Sequence, residues 1–377
     1  MRKQLQNKKR LVIKIGSSIL VNEAGQLISA PFRKLARTVA ELHQNKIEVA
    51  LVSSGAIAAG MNRLELKQKP KRIALKQAVA AAGQHALMFE YEKAFAKYQL
   101  KVAQVLVGRD DFANRRRYLN IRHSLFEIRK LGLIPIINEN DSVATDEIKF
   151  GDNDNLSALV TSAYEADLLI ILSDVGGVYD LDPSTHSEAQ RLSIIEKIDQ
   201  QVKLGATDTL RPSSTGGMRT KLEAAEKAQH YGVATLIASG HTPNVIQRIL
   251  RGEDIGTLIV PQDGENRLSA KKHWLAYNLK SQGSLRIDEG ACTALQKGRS
   301  LLSSGIIKVE GTFNKGDAVD IFCKTSKKVL ARGLTSYHSY EIEKIKGLKS
   351  SEIEKTLGYK YLDEIIHRND LVILGEL

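Results

Sequence analysis

Cysteine is almost missing from this chain: 377 residues hold only Cys292 and Cys323. Two residues so spaced fit no metal-ligand pattern and argue against a disulfide scaffold. Seven prolines and 28 glycines are too few for a collagen-like or low-complexity chain. Aromatic residues make up 5%, which leaves few obvious interface anchors, and the single tryptophan, Trp274, reads as a packing residue. Nine histidines, His85 and His123 among them, show no metal spacing. No apolar run approaches the ~18 residues of a membrane helix. The basic start is followed by Leu11-Val12-Ile13, which Lys14 interrupts at once, too short for the apolar centre of a signal peptide. A cytoplasmic protein with no membrane segment is the expectation.

What is present looks globular, with 42% hydrophobic and 26% charged residues. The length suggests roughly two to three domains. The formal net charge of +12 invites a nucleic-acid reading, so its distribution matters. Residues 1–10 carry +5, residues 283–377 carry +2, and the long middle carries the remaining +5. Only the start is concentrated, and it reads as a solvated tail.

Short apolar runs alternate with helical patterns through the first two thirds. Strands are expected at 11–15, 47–52, 102–107, 133–137, 167–172 and 233–238. Helices are expected from Ser29-Ala30-Pro31 onward, at 74–98, 115–131, 156–165 and 218–231. Such alternation predicts an α/β fold, a mainly parallel sheet sandwiched between helices, with ligands at the carboxyl ends of strands. Residues 262–268 are polar and read as linker. Beyond Gly283, short glycine-punctuated runs at 284–287, 306–309, 318–322, 329–334 and 371–374 suggest a small, mostly β domain.

Four polar clusters fall where strands end. Lys14-Ile15-Gly16-Ser17-Ser18 offers a glycine turn and a cation to an anion, and an ordinary strand-to-turn glycine gives the same pattern. Ser53-Ser54-Gly55-Ala56 repeats the small-residue turn. Asn138-Glu139-Asn140-Asp141 and Gly151-Asp152-Asn153-Asp154-Asn155 are unusually dense in acids and amides. They suit a ligand ammonium or a hydrated magnesium ion, and Asn155 would also serve as a helix cap. Ser213 to Lys221 is rich in hydroxyls and glycine, opens a helix and places a lysine within its first turns, as a phosphate site requires. It is no Walker A loop, lacking Gly-Lys-Ser/Thr. Ser173-Asp174 is a further candidate for nucleotide contact. Together the clusters imply ATP on one side and a small polar acceptor on the other.

These segments, with Val52 to Gly60 and Thr215-Gly216-Gly217-Met218-Arg219-Thr220-Lys221, resemble the glutamate 5-kinases of the amino acid kinase family, in the long form with a C-terminal PUA domain. The PUA resemblance rests on 287–291, 300–306 and 309–317. It implies a kinase domain at 1–262, a linker at 263–282, a PUA domain at 283–361 and a tail at 362–377 packing on or near it. It implies that Lys14, Gly16, Ser17, Ser173, Asp174 and Thr215 to Lys221 meet ATP, with Lys14 and Lys221 catalytic. Ser54, Gly55, Asn138, Asp141, Asp152, Asn153 and Asp154 would form the glutamate side. Arg219 stands where relatives often have serine, which puts a side-chain role there in doubt. The implied reaction is ATP-dependent phosphorylation of the glutamate γ-carboxylate, with Mg²⁺ carried mainly by the ATP phosphates. A homo-oligomer, dimer or tetramer, and feedback inhibition by proline are also implied. A sibling kinase acting on acetylglutamate or aspartate is the alternative. RNA binding through the PUA domain stays open, though the +2 of that region is a poor footprint for it.

Overall fold

The computed structural model describes residues 1–22, 25–68, 70–144, 153–183, 185–205, 217–261, 280–324, 326 and 328–374. Most of the expected linker, and Trp274, lie outside them. The chain divides into two compact units, Met1–Asp111 with Arg115–Arg267 and Phe112–Asn114 with Leu268–Leu377.

The first unit is built on eight strands: β1 Arg10–Ile15, β2 Glu48–Ser53, β3 Val102–Val107, β4 Ile134–Glu139, β5 Leu168–Ser173, β6 Ile194–Ile195, β7 Ala234–Ser239 and β8 Thr257–Ile259. They form one sheet in the order β3-β4-β2-β1-β5-β7-β8-β6, parallel throughout except at β7–β8. The helices are α1 Ser17–Leu20, α2 Ser29–Gln44, α3 Ala56–Arg63, α4 Ile73–Ala96, α5 Arg109–Ala113 (of which Arg109, Asp110 and Asp111 belong to this unit), α6 Arg115–Lys130, α7 Asn153–Tyr164, α8 Gln200–Gly205, α9 Met218–His230 and α10 Val245–Leu250. The long elements match the sequence pattern. The short ones, such as α10, β6 and β8, hold too few residues to show a period.

β4 and β5 are buried at every position, as strands covered on both faces must be. Period-two alternation sorts the side chains of β1. Leu11, Ile13 and Ile15 enter a core with Phe32, Leu35 and Val39 of α2 and Leu87, Tyr91 and Phe95 of α4. Lys14 faces the other way, onto α7. Ile15 pairs with Ser53 on one side and Leu172 on the other, so three central strands end at one level. Their carboxyl-terminal turns therefore share one edge of the sheet.

α3 and α4 touch backbone to backbone. A Cβ on Gly83 would lie 1.9 Å from the Ala56 carbonyl oxygen, and one on Gly60 would lie 1.8 Å from that of Val79. Gly55, at φ +113°, makes the turn from β2 into α3 in a conformation that side chains resist. These contacts hold the start of α3 against the middle of α4.

The basic start is not a solvated tail. Residues Arg2–Asn7 form a 3₁₀ turn with Leu5 buried in the core. The Arg2 guanidinium donates to the carbonyls of Glu253 (3.0 Å), Ile255 (3.0 Å), Gly256 (2.9 Å) and Ser193 (2.8 Å), and pairs with Asp254 at 2.9 Å. Arginine has five donors in a fixed fork, and carbonyls at a sheet edge are acceptors that need them.

The second unit contains β9 Gly283–Ile287, β10 Leu301–Leu302, β11 Ile306–Glu310, β12 Ala318–Cys323, β13 Ala331–Leu334, β14 Glu364–Ile366 and β15 Leu371–Ile373. Five strands pair in the order β11-β9-β12-β13-β15, and β10 pairs with β14. The segment after Tyr361 is thus woven into the unit through β14 and β15. Cys292 and Cys323, expected to form no scaffold, are joined by a disulfide inside this core, with Cα atoms 6.1 Å apart.

Two stability predictions follow from these contacts. Gly83→Ala forces a methyl into a backbone oxygen and should cost at least about 2 kcal/mol, read as a lower thermal midpoint. Arg2→Ala strips several charged hydrogen bonds and should cost about 2 kcal/mol in the same measurement. Wild-type midpoints would refute either account.

Candidate active site

The site begins where β1, α7 and α9 converge. α7 starts at Asn153, two residues before the expected cap Asn155, and so puts Asp154 in its first turn, where the helix dipole favours a carboxylate. Asp154 is only 2% exposed. Lys14 Nζ lies 2.7 Å from its Oδ1 and Lys221 Nζ donates to its Oδ2 at 3.3 Å. Thr220 Oγ1 donates to the same Oδ2 at 2.8 Å. Both lysines are themselves buried. Lys221 also donates to the carbonyl of Gly217, the residue that caps α9, and that carbonyl, 3.0 Å from Thr220 Oγ1, is the alternative acceptor for its single hydroxyl proton. Arg219, just before Thr220 and Lys221 on the helix, is exposed and pairs with Glu223.

Burial alone would raise the Asp154 carboxyl. The two ammonium charges, with hydrogen bonds from Lys14 and Thr220, outweigh burial and hold it well below the usual carboxylate range. It stays ionised at every physiological pH. The trio sums to one positive charge in a dry place, which suits an incoming polyanion. Asp154, grouped by sequence with the glutamate side, is the meeting point of the two lysines.

One residue back, Asn153 opens a second network. Its Nδ2 donates to Ser54 Oγ (2.9 Å), Asn138 Oδ1 (3.0 Å) and the Ser53 carbonyl (3.3 Å). Asn138 Nδ2 donates to Gln84 Oε1 at 2.8 Å, and the Glu139 backbone N–H donates to Asn138 Oδ1 at 2.8 Å. The buried Tyr91 hydroxyl supports this floor by donating to Ser53 Oγ at 2.8 Å. Asp141 follows the end of β4 and is nearly buried. Burial, and then the charge of Glu139, push its carboxyl up to about 7. Gln77 on α4 donates to the carbonyl of Ala144 at 2.9 Å, tying the turn after Asp141 to the helix.

Four sequence-predicted clusters thus meet, but not with all their members. Lys14, Asp154, Thr220 and Lys221 form one group, and Ser54, Asn138 and Asn153 another. The Gly16 N–H is already used by the Leu172 carbonyl (3.2 Å), and the Ser54 N–H by that of Ile15 (3.2 Å), so neither is a free anion donor. Ser17 begins the short α1. Ser173 Oγ donates to Asp174 Oδ1 at 3.0 Å, at the end of β5. Asp152, Thr215 and Gly216 lie outside the described residues. Gln84 and Tyr91 escaped sequence reading because both sit inside an Ala-rich helix with no local motif. The one clue to Gln84 was the neighbouring Gly83, which brings that part of α4 against α3.

The amino acid kinase family model matches residues 9–239, and the PUA domain model matches residues 283–357. A glutamate 5-kinase of Thermoanaerobacter sp. (strain X514) is 49% identical over 97% of this chain and 98% of its own. Those of Syntrophotalea carbinolica and Geobacter sp. (strain M21) are 47% and 48% identical over 99% of this chain and their whole length. Both lysines and the carboxylate between them fall within the matched kinase segment, and the chain belongs to the amino acid kinase family, on its glutamate 5-kinase branch, with a PUA domain following the kinase domain.

Proposed function

We propose that this centre transfers the γ-phosphoryl group of ATP to the γ-carboxylate of L-glutamate, giving L-glutamyl 5-phosphate for proline biosynthesis in the cytoplasm. The observation that carries this reading is the buried Asp154 carboxylate held between Lys14 and Lys221. A glutamate carboxylate has a pKa of about 4.3, so the nucleophile is already ionised and needs no general base. One carboxylate oxygen bonds to the γ-phosphorus while the bond to the β–γ bridging oxygen breaks, and ADP leaves with that electron pair. The obstacle is repulsion between two anions, which fixed positive charge removes.

In this reading Lys14 and Lys221 neutralise the transferring group from two sides, and Asp154 positions both. Ser17, Ser173, Asp174 and residues 215–221 hold the nucleotide, and Gly16, with its N–H spent on Leu172, only leaves room for it. Among the described residues no group of three His, Cys, Asp or Glu side chains is placed to hold a metal ion. Magnesium fits such a site when carried by ATP phosphates and water, where it supplies further charge neutralisation. Asp141 and Asn153 take the substrate ammonium, beside Ser54, Gly55 and Asn138, and Asp152, outside the described residues, keeps the role that the resemblance implies. That acidic side disfavours acetylglutamate, which has no ammonium. Proline, also an ammonium and a carboxylate on one carbon, would compete there as a feedback inhibitor. A second copy of the chain would cover Leu75 and Phe89, the large exposed apolar residues of α4.

The direct test is ATP turnover with hydroxylamine present to trap an acyl phosphate. Hydroxamate should form with glutamate and fail to form with acetylglutamate or aspartate; the reverse preference would reject the reading. Lys221→Ala should lower kcat by at least ~10², as for the loss of one preorganised donor. Near-normal kcat at saturating substrates would end the two-lysine scheme.

A pH prediction comes from Asp141, whose carboxyl is raised to about 7. Only its ionised form attracts an ammonium. As pH falls below that value, kcat/KM for glutamate should fall roughly tenfold per unit, since this ratio reports the free enzyme. kcat at saturating glutamate should stay level. Asp141→Asn should abolish the pH dependence and leave kcat/KM uniformly low. A profile unchanged by that substitution would clear Asp141 of the role.

A further inference from the structure

The amides of Gln84, Asn138 and Asn153 form a chain whose direction is forced by the backbone. The Glu139 N–H can only donate, so the Asn138 atom it meets is Oδ1. Asn138 must then present Nδ2 to Gln84, which accepts through Oε1. At the other end, the Ser53 carbonyl can only accept, so the Asn153 atom facing it, and facing Asn138 Oδ1, is Nδ2. An amide has two ends. Fixing the inner ones leaves an outer donor, Gln84 Nε2, and an outer acceptor, Asn153 Oδ1. Both atoms are buried, and among the described residues neither has a hydrogen-bond partner. Buried polar atoms are rarely left so, and an unmet pair of opposite sense in one network calls for a ligand bearing the complementary pair.

We propose that Gln84 is a substrate-binding residue whose Nε2 donates to the non-reacting α-carboxylate of the acceptor. The inference rests on the acceptor reading above, which puts the substrate beside Asn153. Asp154 and the two lysines mark the reacting end, and Asn153 is the first amide beyond them. The chain leads from there through Asn138 to α4. What a dicarboxylic amino acid carries away from its reacting γ-carboxylate is an ammonium and a second carboxylate. The ammonium takes the Asn153 acceptor and Asp141. The carboxylate takes the one outer donor of the chain. Gly83 explains how a helix residue comes so close, because its bare backbone lies on Ala56 and Gly60 at the start of α3.

Gln84→Glu is the informative change. It keeps the Oε1 acceptor for Asn138 and exchanges only the free donor for an anionic oxygen of the same size. Inhibition constants against glutamate are measured for glutarate, which lacks the ammonium, and 4-aminobutyrate, which lacks the α-carboxylate. The glutamate KM and the glutarate constant should each rise about tenfold or more, since a donor to a charged group has become a like charge. The 4-aminobutyrate constant should stay or fall, and kcat and the ATP KM should hold within about threefold. A parallel rise for both analogues would make Gln84 merely structural and overturn the proposal. So would an unmoved glutarate constant. Asn153→Ala separates the two levels. If it leaves the glutamate KM unchanged, the acceptor lies elsewhere and both readings fall. If it raises the KM while Gln84→Glu fails as described, only the role of Gln84 is lost.

Discussion

Two lysines cannot be buried side by side without a counter-charge, and Asp154 is that charge. Each ammonium would suffer desolvation and repulsion from the other in a medium that screens weakly. The carboxylate resolves both by bridging them, at 2.7 and 3.3 Å. It cannot be bought off by protonation, because the same lysines keep it ionised. Lys14 ends a strand, Asp154 begins one helix and Lys221 lies near the start of another. The ion pair therefore forms only when β1, α7 and α9 are correctly placed. In the proposed reaction it couples the integrity of the sheet to the electrostatics of phosphoryl transfer.

The rest of the first unit serves that convergence. A parallel sheet brings the ends of β1, β2, β4 and β5 to one edge without any long-range motif. Alternation along β1 sends Lys14 to α7 while Leu11, Ile13 and Ile15 build the opposite core. α7 is buried at nearly every position, which fixes its first turn rigidly. A site mounted on such elements needs little rearrangement to neutralise charge as it develops.

Much of this was legible because the information is local. Apolar runs of five or six residues announce buried strands, and glycine-and-hydroxyl segments announce the starts of helices such as α9. The partners within the site were not legible, because pairing depends on where strands end in space. Asp154 reads locally like its neighbours Asp152 and Asn153, and only the placement of β1 and α9 brings the two lysines to it. Gln84 sits in an Ala-rich helix with nothing around it to mark chemistry. The basic start misled for the opposite reason. Five cations in ten residues look solvated, yet Arg2 is drawn in by carbonyls from residues near 193 and 255, far along the chain. The cysteines are a like case, since a separation of 31 residues says nothing of two chain segments packed in one core.

The neutral donor proposed at position 84 would also answer a problem of register. Glutamate has two carboxylates, and only one must reach the phosphate. Were the far end of the pocket lined by a lysine, both ends would attract a carboxylate with comparable strength, and reversed binding would compete. One neutral amide donor pulls on a carboxylate less than two ammonium charges do. The stronger pull belongs to Lys14 and Lys221, so it draws the carboxylate that is to react. The amide satisfies the one that stays behind, and the ammonium, free to meet Asp141 and Asn153 only beside that second carboxylate, locks the orientation. On the proposed roles, substrate direction is set by a gradient of donor strength along the pocket, from a charged trio at one end to an uncharged amide at the other.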